Sequence, residues 1–167
     1  MNFEFSDEQE LLREQARGFL TEHCPPAAVR AVLDGDADYD PALWQKIVEM
    51  GWTATVIPEE FGGLGLSYLE LVVIAEELGR AVAPVPFSSS VYLATEALIA
   101  CGSQEQKDKW LPLLAAGEAI GTFALSEGNG RPSGGVGRRR PRPTAAAAAA
   151  AAESSRTRSQ RRCRRRR

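Results

Sequence analysis

The chain has 167 residues, 44% of them apolar, and a formal net charge of −2. Taken at face value, these totals describe one ordinary soluble domain. No apolar run approaches membrane-spanning length, Leu71–Ala75 being five residues and the alanine run Ala145–Ala152 eight, so a transmembrane role is not expected.

The average conceals two unlike segments. Residues 1–130 hold 21 of the 22 acidic side chains and 7 of the 20 basic ones, whereas residues 131–167 hold 1 acidic and 13 basic. Every Leu, Ile, Phe, Tyr, Trp, Met, Lys, Asp and Asn falls in the first segment, as does the single His. A segment of that length buries about two-thirds of its surface on folding, enough for one core. The second segment has one Val and no larger aliphatic or aromatic residue. It cannot offset the entropy of ordering its backbone, so a disordered, basic, low-complexity tail is expected. Cys24, Cys101 and Cys163 are widely spaced and odd in number, which points to reduced thiols and a cytoplasmic protein. The acidic opening MNFEFSDEQE does not read as a signal peptide.

Ser6 opens a capping box with Gln9, and Leu11, Leu12, Ala16, Phe19 and Leu20 then recur at helical spacing. Cys24-Pro25-Pro26 stops this helix, and Pro26 suits the first turn of a second. Asp34 to Asp40 reads as an acidic loop. Asp40-Pro41 starts a third helix with Leu43, Trp44, Ile47 and Val48 as its apolar stripe, ended by Gly51. Trp52–Ser67, WTATVIPEEFGGLGLS, is a Gly/Pro-rich connection. Ser67 and Glu70 form a second capping box. The helix from Tyr68 to about Arg80 is apolar on most sides, so burial between neighbours is expected. Pro84 and Pro86 make an extended linker, and Ser88–Ala100 reads as a fifth helix. Ser103 and Gln106 cap a sixth that ends near Gly117. Ala119–Ser126 then takes a strand-like pattern through Ile120, Phe123 and Leu125. The expected fold is all-α: a six-helix domain over 1–118, then one orphan strand and turn over 119–130. A lone strand is unstable, which suggests that the rest of a β domain is missing.

Several features have a plain reading. Gly62–Ser67, GGLGLS, lacks the third glycine of a dinucleotide loop and reads as a loop-to-helix turn. Glu59 and Glu60 are neighbours in a loop, a poor acid/base pair. His23 and Cys24 lack further ligands at metal-binding spacing, so no metal site is expected. The arginines at 161, 162 and 164–167 attract polyanions electrostatically but come without aromatics for base stacking.

Two stretches are recognisable. Asp40–Phe87, DPALWQKIVEMGWTATVIPEEFGGLGLSYLELVVIAEELGRAVAPVPF, and Gly102–Gly128, GSQEQKDKWLPLLAAGEAIGTFALSEG, resemble the acyl-CoA dehydrogenase family. The resemblance covers nearly all of residues 1–130. It implies a helical N-terminal domain, a small β domain and a C-terminal four-helix domain, with FAD and the acyl-CoA thioester meeting where they join. It further implies α,β-dehydrogenation in fatty acid or lipid metabolism, electron-transfer flavoprotein as electron acceptor, and a homo- or hetero-oligomer. The family's flavin-contacting segment runs close to x-x-L-(T/S)-E-P-x-x-G-S-D. Phe123, Ala124, Leu125, Ser126 and Glu127 match it, so cofactor contact is carried onto these five. Leu71, Val72 and Ala75 are the residues the resemblance suggests for the acyl-chain pocket.

The match stops at one point. Gly128 stands for the usual proline, and Arg131, Pro132 and Ser133 stand where small residues and then an acid belong. The Arg, Ala, Gly and Pro of residues 131–167 are encoded by GC-rich codons, so an out-of-frame reading is expected there. No glutamate here matches the family's catalytic base, which the resemblance places in the C-terminal domain. The chain is therefore expected to be a truncated and inactive dehydrogenase, with no catalytic residue named. The alternative is a non-enzymatic interaction subunit or polyanion-binding module with a basic tail.

Overall fold

The computed structural model describes residues 5–124. Six α-helices follow one another in these residues: α1 (Asp7–His23), α2 (Pro26–Leu33), α3 (Pro41–Glu49), α4 (Tyr68–Arg80), α5 (Glu96–Cys101) and α6 (Gln104–Ala115). No strand is formed among the described residues. Residues 119–124 follow an irregular path, and the remainder of the expected strand, with its turn and the basic tail, lies outside the described residues.

The helices start where local chemistry dictates. Ser6, Ser67 and Ser103 each accept a backbone N–H of the first turn, and Gln9, Glu70 and Gln106 reach back to the cap residue's own N–H. These reciprocal bonds satisfy donors that a helix start leaves orphaned. Asp40 caps α3 through Oδ1, which accepts from Ala42 and Leu43 at 2.9 and 3.0 Å. Pro26 and Pro41 occupy first-turn positions, where a missing N–H costs nothing.

α1 lies against α4, and α3 completes the main core. Ala16, Leu20, Leu43, Trp44, Ile47, Leu71, Ile74 and Leu78 are buried there. A second cluster joins Ile57 and Phe61 of the 52–67 connection to Leu98 and to Leu111 and Leu114 of α6. Thr53 ties the connection to α6, its buried hydroxyl donating to the Ala115 carbonyl at 2.7 Å. Full burial of aliphatic side chains of this size contributes about 1.5–3 kcal/mol each.

Three expectations need correction. Helix α4 is not buried on all sides: Leu71, Val73, Ile74 and Leu78 face inward, but Tyr68, Leu69 and Val72 are exposed. Its apolar surface exceeds what α1 and the core can cover. Leu11 also faces solvent, while Leu12, Ala16, Phe19 and Leu20 of α1 face the core. The fifth helix is not a uniform α-helix. Ser88–Thr95 is π-helical and passes directly into α5. Its wider turn is pinned by Thr95, whose hydroxyl donates to the carbonyl of Ser90, five residues back, at 2.9 Å.

Candidate functional site

The connection before α4 sets the site's geometry. Gly62 adopts φ +79° and Gly63 lies against Ile57, where a Cβ would overlap the Ile57 carbonyl. The loop folds back on its own start: the Leu64, Gly65 and Leu66 amides donate to the carbonyls of Ala54, Ile57 and Thr55 at 2.9, 2.9 and 2.8 Å. This closed loop delivers Ser67 to cap α4. Glu59 and Glu60 sit in a short 3-10 turn and are exposed. The GGLGLS stretch is thus a loop-to-helix turn. At the other end of α1, His23 packs edge-on against Phe19 at 4.8 Å between centroids, and Lys46 Nζ lies 3.0 Å from its Nδ1.

Two surfaces flank α4. At its start, the Tyr68 hydroxyl donates to Glu96 Oε2 at 2.8 Å, bridging α4 to α5. The other carboxylate oxygen of Glu96 is buried and has no hydrogen-bond partner among the described residues. The bond to Glu96, with some desolvation, pushes the Tyr68 phenol above its ordinary pKa. Leu69 and Val72, with Leu93 of the π-helical segment, add exposed apolar surface.

Towards the end of α4 lies a cavity of about 290 Å³, bounded by Ala75, Leu78 and Gly79 on one side and by Phe87, Ser88 and Tyr92 on the other. Val82, Ala83 and Val85 also line it, and it opens to solvent. Burial pushes the Tyr92 phenol up to about 12, so it stays neutral, and its ring meets Phe87 edge-on at 5.4 Å. Such a lining suits apolar matter with one polar contact.

The three residues suggested for an acyl-chain pocket do not gather at one place. Leu71 is in the core, Val72 is exposed on the outer face, and Ala75 borders the cavity. The cavity residues beyond Ala75, above all Tyr92 and Val82, had no sequence signal, because they come together only when the chain doubles back after α4. Of the five residues carried over for cofactor contact, Phe123 is half-buried and Ala124 exposed. Leu125, Ser126 and Glu127 lie outside the described residues. Among the described residues the amides of Thr122, Phe123 and Ala124 form no hydrogen bond.

The family profile described as "Acyl-CoA dehydrogenase, N-terminal domain" matches residues 6–118. This chain belongs to the acyl-CoA dehydrogenase family. Among its relatives, acyl-CoA dehydrogenase IpdE2 of Mycolicibacterium smegmatis is 42% identical over 122 residues, which are 72% of this chain and 38% of that protein. The chain therefore spans well under half the length of that relative. Among solved structures, the ChsE4–ChsE5 complex from Mycobacterium tuberculosis superimposes with a TM-score of 0.70 at 30% identity, covering 78% of this chain and 36% of that one. An acyl-CoA dehydrogenase complexed with FAD from Bacillus anthracis gives a TM-score of 0.68 at 29% identity, covering 77% and 22%. The likeness thus reaches the helical part that the profile matches, in sequence and in backbone shape together.

Proposed function

We propose that residues 1–118 are the helical domain of an FAD-dependent acyl-CoA dehydrogenase, that 119–130 begin its β domain, and that 131–167 are an out-of-frame basic tail. The observation that carries this reading is the family match across 6–118. It runs directly into a segment, Phe123–Glu127, that keeps the residue types of the family's flavin-contacting strand. When bound, FAD supplies the acceptor for the hydride removed from the β-carbon of the acyl group. The chain's own share is binding and orientation. The amides of Phe123 and Ala124, and in the same reading Leu125, Ser126 and Glu127, hold the ring. The apolar surface around α4 excludes water from one side of the acyl chain, a service that strengthens electrostatic contacts at the reacting carbons.

No glutamate of this chain is assigned as the base that takes the α-proton, and no donors are assigned to the thioester carbonyl, whose polarisation the chemistry requires. The 167 residues alone are therefore expected to show no turnover. Electron-transfer flavoprotein as acceptor, assembly with itself or a second subunit, and a cytoplasmic location belong to the same reading. The free thiols of Cys24 and Cys101 support a reducing compartment.

The test is to resequence the coding DNA from codon 120 past the stop, and to express whatever longer frame appears. A neighbouring frame that continues after Gly130 with small residues, an acid and a long helical region supports the reading. Its product should carry flavin absorbance and reduce a dye when acyl-CoA is added. If the frame stands as written, and the chain binds nucleic acid with a steep salt dependence that is lost on removing 131–167, the polyanion-binding alternative replaces it.

A further inference from the structure

The π-helical segment Ser88–Thr95 also shapes the path of the chain that leaves α6. Ser90 and Ala94, each 1% exposed, form a notch on its buried face. The chain leaving α6 drops into that notch at Gly121. The Gly121 amide donates to Ser90 Oγ at 3.3 Å, inside the protein. A Cβ at position 121 would overlap the Ala94 methyl and come within 3.3 Å of Leu114 Cδ2. The approach to the notch is fixed as well. Gly117 turns the chain with φ +65°, the Ala119 amide donates to the Leu113 carbonyl at 3.1 Å, and Ile120 packs on the main core. Past Gly121, Thr122 and Ala124 are exposed and Phe123 is half-buried.

We propose that the Ser90–Ala94 notch is a positioning seat for the segment that follows α6. It admits only glycine at 121, and so sets the direction in which Phe123 and Ala124 leave the helical domain. The functional meaning rests on the reading that these residues begin the flavin-contacting segment; the seat is a matter of packing and one buried hydrogen bond. The π-helical turn belongs to the device. The Thr95 hydroxyl on the Ser90 carbonyl holds the widened turn from which Ser90 presents its oxygen to Gly121. Ser90 and Ala94 are therefore positioning residues, acting through the chain they seat and not on any ligand.

The test uses the whole chain with Cys163→Ser and Ala124→Cys, spin-labelled at the exposed Cys101 and at position 124. Buried Cys24 stays unlabelled. Electron–electron double resonance should give one narrow distance distribution. Gly121→Ala should broaden it, and the pair Gly121→Ala with Ala94→Gly should narrow it again, because the second change removes the methyl in the way. Ser90→Ala keeps the packing and removes only the acceptor. It should speed exchange of the Gly121 amide about tenfold, the scale of one lost buried hydrogen bond, with amides of α1 and α4 unchanged. If Gly121→Ala fails to fold, the Ser90→Ala exchange measurement decides. A distribution that stays narrow in Gly121→Ala, a pair that does not restore it, or an exchange rate indifferent to Ser90→Ala overturns the seat. Neither readout involves flavin, so failure of the flavin reading would leave these results as they are.

Discussion

Gln9 and Glu70 are the third residues of two separate capping boxes, and they bond to each other. Gln9 Nε2 donates to Glu70 Oε1 at 2.9 Å, while Glu70 Oε2 accepts from the Ser67 amide at 3.0 Å and also engages the Ser67 hydroxyl. The starts of α1 and α4, 61 residues apart in the chain, are thus fastened by one carboxylate.

That fastening makes Glu70 worth more than an ordinary cap residue. Replacing Glu70 with Ala removes the cap's return bond and the inter-helix bond together, and should cost about 1–2 kcal/mol in urea unfolding. Glu70→Gln has one acceptor oxygen where the carboxylate uses two, so it should keep the bond from the Ser67 amide, lose the one from Gln9, and recover about half of the loss. An alanine variant as stable as the parent would show that the bond between the boxes carries no weight.

Glu77 is another carboxylate joining α1 to α4, and it is charged inside the protein. Its side chain is 1% exposed and accepts from Arg17 at 2.6 Å and from Arg80 at 2.7 Å. The Arg17 hydrogen bond, outweighing the cost of burial and helped by Arg80, holds its pKa at about 2 against an ordinary 4.5. The folded-state value is depressed, so the stabilisation is complete above the unfolded pKa and fades as pH falls from about 5 towards 2. Glu77→Gln should lower stability by about 2 kcal/mol at pH 7, below the usual cost of breaking a buried pair because both guanidinium groups are half in water. Near pH 2 the two proteins should unfold at nearly the same urea concentration. A gap that persists unchanged at low pH would exclude ionisation as the source.

Gly63 and Gly18 should respond in opposite directions to the same change. Alanine at 63 drives its Cβ into the Ile57 carbonyl, a backbone atom that cannot move without opening the loop, whereas alanine at 18 meets nothing within 4 Å on an exposed helix face. Gly63→Ala should cost about 3 kcal/mol or more. Gly18→Ala should gain about 0.5–1 kcal/mol from helix propensity. Thermal unfolding of the two variants beside the parent checks both signs at once.

What the sequence disclosed, and what it withheld, follows from how local each cause is. The three Ser-led boxes and the two first-turn prolines are local chemistry, and all five mark helix starts in the structure. Gly51 and Gly117 announce the ends of α3 and α6 in the same way. The π-helical run at Ser88–Thr95 was hidden, because its partner at Gly121 is 31 residues away. So was the exposure of Leu69 and Val72, since periodicity shows that a face is apolar but not what covers it. Ala75 reached the cavity, but Tyr92 and Val82 could be placed there only by the path the chain takes after α4.

The end of α4 carries the last prediction. Three helices here finish on a residue in the left-handed region: Gly51 after α3 at φ +75°, Gly117 after α6 at φ +65°, and Val82 after α4 at φ +51°. The bonds around Val82 are those of a Schellman turn, its amide donating to the Gly79 carbonyl at 3.1 Å and the Ala83 amide to the Leu78 carbonyl at 3.0 Å. Glycine is the usual residue there, and a β-branched side chain pays a steric cost. Little packing offsets it, since Val82 is 66% exposed. Val82→Gly loses some stability through the freer unfolded chain but relieves more strain, and should gain about 0.5–1 kcal/mol. Val82→Asn, which tolerates this conformation without the flexibility of glycine, should do at least as well. For a domain of this size, a gain near 1 kcal/mol raises Tm by about 4 °C. Because Val82 also lines the cavity, the two variants separate strain from lining. If both raise Tm, the conformation alone was costly. If both lower it, the valine side chain supports the cavity wall by more than its strained backbone costs.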